Sequence, residues 1–227
     1  MWRMVPFILL SGCIHWTEDI PCLSTANCPS EMVCNLEQVC VGADDPSAPE
    51  DCSDDFTVTF PSFRIDAYES SRADATATSA GTRDGMACSV PGVLPWQLED
   101  VLHAEAACAL AGKRLCTEVE LSTACRGTEG RTYPYGSEYE EGICNDASGS
   151  GQVEPTGTFV DCTDTTGAVH DLVGNVAEVC DGCLGWYGTH GGGITSSEGF
   201  SARCGGTDNY SSASGGGVGM RCCQDLP

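Results

Sequence analysis

Lysine is almost missing: Lys113 is the one lysine in 227 residues, and with nine arginines it stands against 33 acidic groups, for a net charge of −23. A surface so short of cations repels phosphate backbones and anionic headgroups, which excludes nucleic acid as a partner. It suits solubility and divalent cations, and it says nothing about fold. Long hydrophobic runs are missing too. The apolar stretch of MWRMVPFILLSGC falls far short of the ~20 residues that span a bilayer, and no later segment qualifies. Histidine is scarce: His15, His103, His170 and His190 are scattered and form no HExxH or HxxxH pair, so each reads as a surface or hydrogen-bonded side chain. GxSxG elbows and phosphate-cradling loops are absent, and Gly215-Gly216-Gly217 reads as flexible loop.

Cysteine is what the chain has in excess, with 17 residues. That density belongs to oxidising compartments. The N-terminus supplies the context, with Arg3, a short apolar run and small residues before Cys13, the pattern of a secretion signal over residues 1–12. Leu10-Ser11-Gly12-Cys13 resembles a bacterial lipobox, which predicts that Cys13 is lipidated and becomes the first mature residue. Ile14 is no acidic retention signal, which points to the outer membrane or cell surface. Setting Cys13 aside leaves sixteen cysteines, an even number, as a fully disulfide-bonded ectodomain requires.

Cys22, Cys28, Cys34 and Cys40 follow at constant spacing. A segment this short buries no useful core, so residues 13–42 read as a two-disulfide module with three possible connectivities. Residues 43–55, acidic with two prolines, read as a linker, and 56–227 as the main domain. There FTVTFPSFRIDAYES alternates apolar and polar residues as two short strands broken at Pro61. The segment from Gln97 to Leu110 has helical periodicity, with Val101, Leu102, Ala106 and Cys108 near one face. Thr117-x-x-Glu120 is a capping box opening a second helix that Gly127 closes. Cys116 and Cys125 then sit at opposite ends of that helix, roughly 12 Å apart, too far to pair with each other. Adjacent Cys222 and Cys223 should take different partners. CDGC (180–183) is a lone CxxC, read as two disulfide partners of distant cysteines rather than a zinc or redox site. Cys52, Cys88, Cys108, Cys144, Cys162 and Cys204 complete the disulfide candidates.

FRIDAYE (63–69), AGKRLCTEVELSTACRG (111–127), YPYG (133–136), CN (144–145), DLVGNVAEV (171–179), GGG (191–193) and GMRC (219–222) resemble, in the same order, the signature segments of the sulfatase-modifying-factor family, the formylglycine-generating-enzyme domain. The resemblance spans about residues 56–223. It implies a loop-rich, C-type-lectin-like α+β fold, here stapled by disulfides and preceded by the small cysteine-rich module. In the oxygen-dependent members, copper(I) is held by two cysteines spaced C-x4-C after a Gly-Gly-Ser segment, a soft ion on thiolates. Carried over by position, those cysteines are Ser196 and Ser201, hard and poorly acidic hydroxyls, so copper is not expected. Cys204 stands nearby, single and three residues out of place. The iron site of the sulfur–carbon bond-forming relatives belongs to a histidine-bearing helical domain that this chain does not match.

The resemblance also implies a structural Ca²⁺ held by the Asp171 and Glu178 side chains and the Gly174 and Val176 carbonyls, hard oxygen donors on a tight turn. Asn145 receives no role. The expected function is a lipid-anchored, non-catalytic binding or cell-envelope scaffold domain that engages an envelope protein or a polymer. The alternative is a formylglycine-generating-type oxidoreductase acting on a protein cysteine.

Overall fold

The computed structural model describes residues 32–34, 39–42, 52, 55–183, 188–197, 202–209 and 217–227. The expected signal peptide, Cys13, Cys22, Cys28, nearly all of the linker and Ser201 lie outside the described residues. In the cysteine-rich segment β1 (Met32–Cys34) and β2 (Cys40–Gly42) pair antiparallel, with Cys34 opposite Cys40.

Two short strands flank Pro61: β3 (Thr57–Thr59) and β4 (Phe63–Asp66). β4 follows the period-2 rule by burying Phe63 and Ile65 around exposed Arg64, then breaks it by burying Asp66 as well. β5 (Ser70–Ser71) and β6 (Cys88–Ser89) form a minimal ladder before α1 (Val101–Leu110). Asp100 caps α1, accepting from the Leu102 N–H. α1 turns Val101, Ala104, Ala107 and Cys108 inward and leaves Leu102 58% exposed, which corrects the expected face. The small alanines, not the large leucine, set the buried side, since they let the backbone of residue 87 approach and donate to the Ala107 carbonyl.

β7 (Arg114–Leu115) leads into α2 (Glu118–Arg126). The capping box is complete: the Thr117 hydroxyl accepts from the Glu120 N–H while the Glu120 carboxylate accepts from the Thr117 N–H. α2 buries Leu121, Ala124 and Cys125 and ends at Gly127, whose φ of 59° lies in the left-handed region. The remaining strands are β8 (Ala177–Val179), β9 (Gly188–His190), β10 (Thr207–Asn209), β11 (Val218–Met220) and β12 (Cys222–Asp225).

Two four-stranded sheets result, ordered β3-β4-β12-β7 and β10-β9-β8-β11, with β11 and β8 parallel. Two apolar cores lie among them. One gathers Phe63, Ile65, Leu121, Leu172 and Val173, and the other Trp96, Val101, Leu115, Val218 and Met220. β12 explains the neighbouring cysteines. Successive strand residues point to opposite faces, so Cys222 enters the second core and bonds Cys108 of α1, while Cys223 enters the first and bonds Cys116. Cys125 bonds Cys204, Cys52 bonds Cys88, and Cys144 bonds Cys162.

CDGC departs from expectation. Cys180 and Cys183 bond each other rather than distant partners. A turn through Gly182, at φ 81°, brings their Cα atoms to 5.5 Å, within disulfide reach. The loop-rich α+β expectation stands. Among the described residues no helix is long and apolar enough to cross a membrane.

Candidate functional site

The segment between residues 171 and 178 folds as a tight, fully buried turn feeding β8. Asp171 and Asn175 both take φ 55°, a left-handed conformation that Asp and Asn tolerate better than most side chains. Gly174, at φ 84°, crosses the backbone of Asn145, where a Cβ would lie 2.8 Å from the Asn145 carbonyl carbon, so only glycine fits. Asn145 thereby acquires a role. Its side chain donates to Asn175 Oδ1 and to the Gln152 carbonyl, both at 2.9 Å, and its carbonyl accepts from the Asn175 N–H at 2.8 Å.

Around this turn three carboxylates are buried together. Glu69, at the end of the FRIDAYE segment, accepts from Asn175 Nδ2 at 2.5 Å and from the Val176 N–H at 2.9 Å. Asp171 Oδ2 accepts from the Gly157 N–H at 2.7 Å. Glu178 Oε1 faces Arg221 Nη2 at 3.1 Å, an ion pair with both side chains fully buried. Arg221 also donates to the carbonyls of Asp66 and His170. One guanidinium thus serves three acids. Burial pushes Asp171 up to about 6 and Glu178 up to about 7, and drives Glu69 well above the usual carboxylate range, with the Asp171 and Glu178 charges adding to that rise.

Glu178 Oε2 is buried with no hydrogen-bond partner. Opposite it stands Gly191, where a Cβ would come within 3.1 Å of that oxygen and would also strike the Leu172 carbonyl. An orphaned carboxylate oxygen kept clear by a glycine, beside two further buried acids that share one guanidinium, is donor chemistry that fits a hard cation. Of the four expected calcium donors, Asp171 and Glu178 share this buried electrostatic environment, and Gly174 and Val176 lie on the turn between them. Two of the four are backbone carbonyls. Among the described residues no three His, Cys, Asp or Glu side chains converge as a metal-binding group.

The glycine run docks on the same turn. Ile194 N–H donates to the Asn175 carbonyl, and the Gly193 N–H donates to Ser196 Oγ at 3.0 Å. The Ser196 carbonyl accepts from the Ala147 N–H at 2.9 Å. Ser196 therefore closes a local turn, while Ser201, its expected companion, lies outside the described residues. Cys204 is bonded to Cys125. Every cysteine from Cys52 to Cys223 is held in a disulfide. The donor set described at the family's copper positions, a hydroxyl with a bonded cysteine nearby, does not suit copper(I).

His190, on β9 opposite Glu178, is fully buried. Its Nε2 accepts from the Gly205 N–H at 3.0 Å and lies 3.4 Å from Ser122 Oγ. Burial, with the Arg126 and Arg221 charges nearby, pulls His190 down to about 4. Such an imidazole is neutral and structural rather than a base. Above Ser122 an open hollow runs along α2, lined by Glu118, Val119, Ser122, Thr123 and Arg126.

Glu69, Arg221 and His190 were not singled out as site residues by sequence reasoning. The available signal was a charged residue set into apolar strand segments, in FRIDAYE and GMRC.

Among curated proteins none matches the chain. Two solved structures are similar to this chain. That of PvdO from Pseudomonas aeruginosa shares 20% identity at a TM-score of 0.48, covering 72% of this chain and 80% of that one. That of CarF shares 16% at a TM-score of 0.45, covering 73% and 87%. The model of the sulfatase-modifying factor enzyme 1-like domain matches residues 25–226. With nearly the whole chain inside that match, the protein belongs to the sulfatase-modifying factor family.

Proposed function

We propose that this protein is a lipid-anchored, extracytoplasmic member of the family that binds or scaffolds rather than oxidises. The observation that carries the reading is the state of its sulfur. Six disulfides take up all twelve cysteines between Cys52 and Cys223, and the thiol nearest the family's copper positions, Cys204, is committed to Cys125. Oxidation of a target cysteine on copper(I) needs free thiolates, and Ser196 presents a hydroxyl tied into a turn. The anchor is Cys13, and the partner is an envelope protein or a polymer without strong negative charge.

In this reading calcium is held by Asp171, Glu178 and the carbonyls of Gly174 and Val176. Its charge balances acids that Arg221 alone does not, and it sets the turn on which the glycine run rests. The orphaned Glu178 Oε2 and the clearance left by Gly191 support it.

The test is thiol titration under denaturing conditions together with elemental analysis of the purified full chain. The expected result is no free thiol, no copper and stoichiometric calcium. Two or more free thiols with stoichiometric copper would overturn the reading in favour of an oxidase. Calcium absent at saturating supply would remove the cation from it.

A further inference from the structure

The one lysine of this chain is not at the surface. Its side chain is only 6% exposed, and Nζ lies between two carboxylates, 2.6 Å from Asp66 Oδ1 and 2.6 Å from Asp55 Oδ2. All three groups are fixed by backbone contacts. The Lys113 N–H donates to the Cys108 carbonyl, behind the turn at Gly112. Asp66 sits at the end of β4, its carbonyl held by Arg221 and its Oδ2 beside the Cys222 N–H at 3.4 Å and the Ser70 hydroxyl at 3.5 Å. Oδ1 is thus left to the lysine. Asp55 is pinned by accepting from the Ser89 N–H at 3.0 Å.

We propose that Lys113 and Asp66 condense into an intramolecular isopeptide bond, with Asp55 as the proton carrier. One ammonium proton passes to the Asp66 carboxylate, leaving a neutral amine beside a neutral acid. Nζ then adds to Cγ of Asp66. Asp55 takes the second proton from nitrogen and delivers it to the departing hydroxyl. The Nζ–Cγ bond forms, a Cγ–O bond breaks, and one water leaves. Nothing is oxidised or reduced, and Asp55 is regenerated.

Two physical terms favour the step. Groups held in contact by a folded scaffold react with effective molarities of about 10⁵ M or more, which offsets the cost of amide formation in water. Burial also penalises the ionised reactants more heavily than it penalises an amide. Asp66 is fully buried, and that burial pushes its carboxyl up to about 6, which lowers the cost of taking the ammonium proton. The position makes structural sense too. Disulfides tie β12 to α1 and to the start of α2, but β4, which pairs with β12 on its other side, carries no cysteine. A Lys113–Asp66 bond would tie β4 to the β7 side of the same sheet.

Tandem mass spectrometry of the reduced, alkylated and proteolysed full chain tests this. The expected product is a branched peptide joining the segments that contain Lys113 and Asp66, lighter than their sum by one water, with the unlinked Lys113 peptide nearly lost. Recovery of both segments as separate peptides of full mass overturns the proposal, as does a water loss that maps elsewhere. Asp55→Asn keeps the Lys113–Asp66 contact, so it folds with the pair in place and yields the unlinked peptides. A branched peptide in that variant overturns the role given to Asp55.

Discussion

Single side chains carry the electrostatic strain of this protein. His190 must be neutral when folded, because Nε2 accepts from the Gly205 N–H and the ring is sealed from solvent. Its folded value lies near 4, below the ordinary 6.5. Between pH 6.5 and 4 the unfolded chain therefore binds the proton and the folded chain refuses it. The contribution of His190 to stability is full above pH 6.5 and is lost as pH falls through 4, a difference of ~3 kcal/mol. Asp171 and Glu178, pushed upward, act in the opposite direction over part of the same range, so the comparison must be between variants. His190→Gln, which retains an acceptor for Gly205, should lose less stability than the parent between pH 6.5 and 4 in urea unfolding curves. Equal slopes would show that the imidazole does not set the acid limb.

At the scale of elements, α2 is the piece most completely specified by local chemistry. Thr117 and Glu120 exchange hydrogen bonds at its N-terminus, and Arg114 clamps Glu120 at 2.7 and 2.8 Å. Thr117→Ala should cost about 1 kcal/mol in chemical denaturation, the usual worth of an N-cap, without changing the disulfide pattern. This helix was legible from TEVELSTACRG, as were the strands around Pro61, because caps and breakers act over a few residues. α1 was only half legible: its end at Leu110 followed from periodicity, but it starts at Val101 after the Asp100 cap rather than at Gln97, and its buried face did not follow. Ala104 and Ala107 turn inward because a neighbouring segment approaches them, and that approach is invisible in a window of ten residues. The pairing within CDGC is illegible for a related reason. Whether Cys180 reaches Cys183 depends on the conformation at Gly182, which sequence spacing leaves open.

Over the whole molecule, covalent closure stands in for the regular secondary structure that is scarce. Cys116–Cys223 closes a loop of 107 residues, and Cys108–Cys222 one of 114. Cys180–Cys183 closes only three. In the loop-entropy account, Cys108–Cys222 already closes nearly the same span as Cys116–Cys223, so removing Cys116–Cys223 by double serine substitution releases only a short effective loop and should destabilise by ~2–3 kcal/mol, and removing Cys180–Cys183 by ~1.5 kcal/mol. Thermal unfolding of the two double variants checks the order, and a greater loss from the short loop would contradict it.

Several of the ten cations set against 33 acidic groups are already held in ion pairs within the chain. Lys113 meets Asp55 and Asp66, Arg114 meets Glu120 and Asp225, and Arg221 meets Glu178. The amino-acid sequence by itself determined the family, the loop-rich α+β class, the capped helix and the serine at position 196, since ordered motifs, local capping and residue identity need no third dimension. Tertiary structure alone decided which cysteines meet, which acids share Arg221, and that the one lysine lies between two carboxylates. Apart from Cys180–Cys183, those outcomes rest on contacts between residues from 18 to more than a hundred positions apart, where distance along the chain carries little information about distance in space.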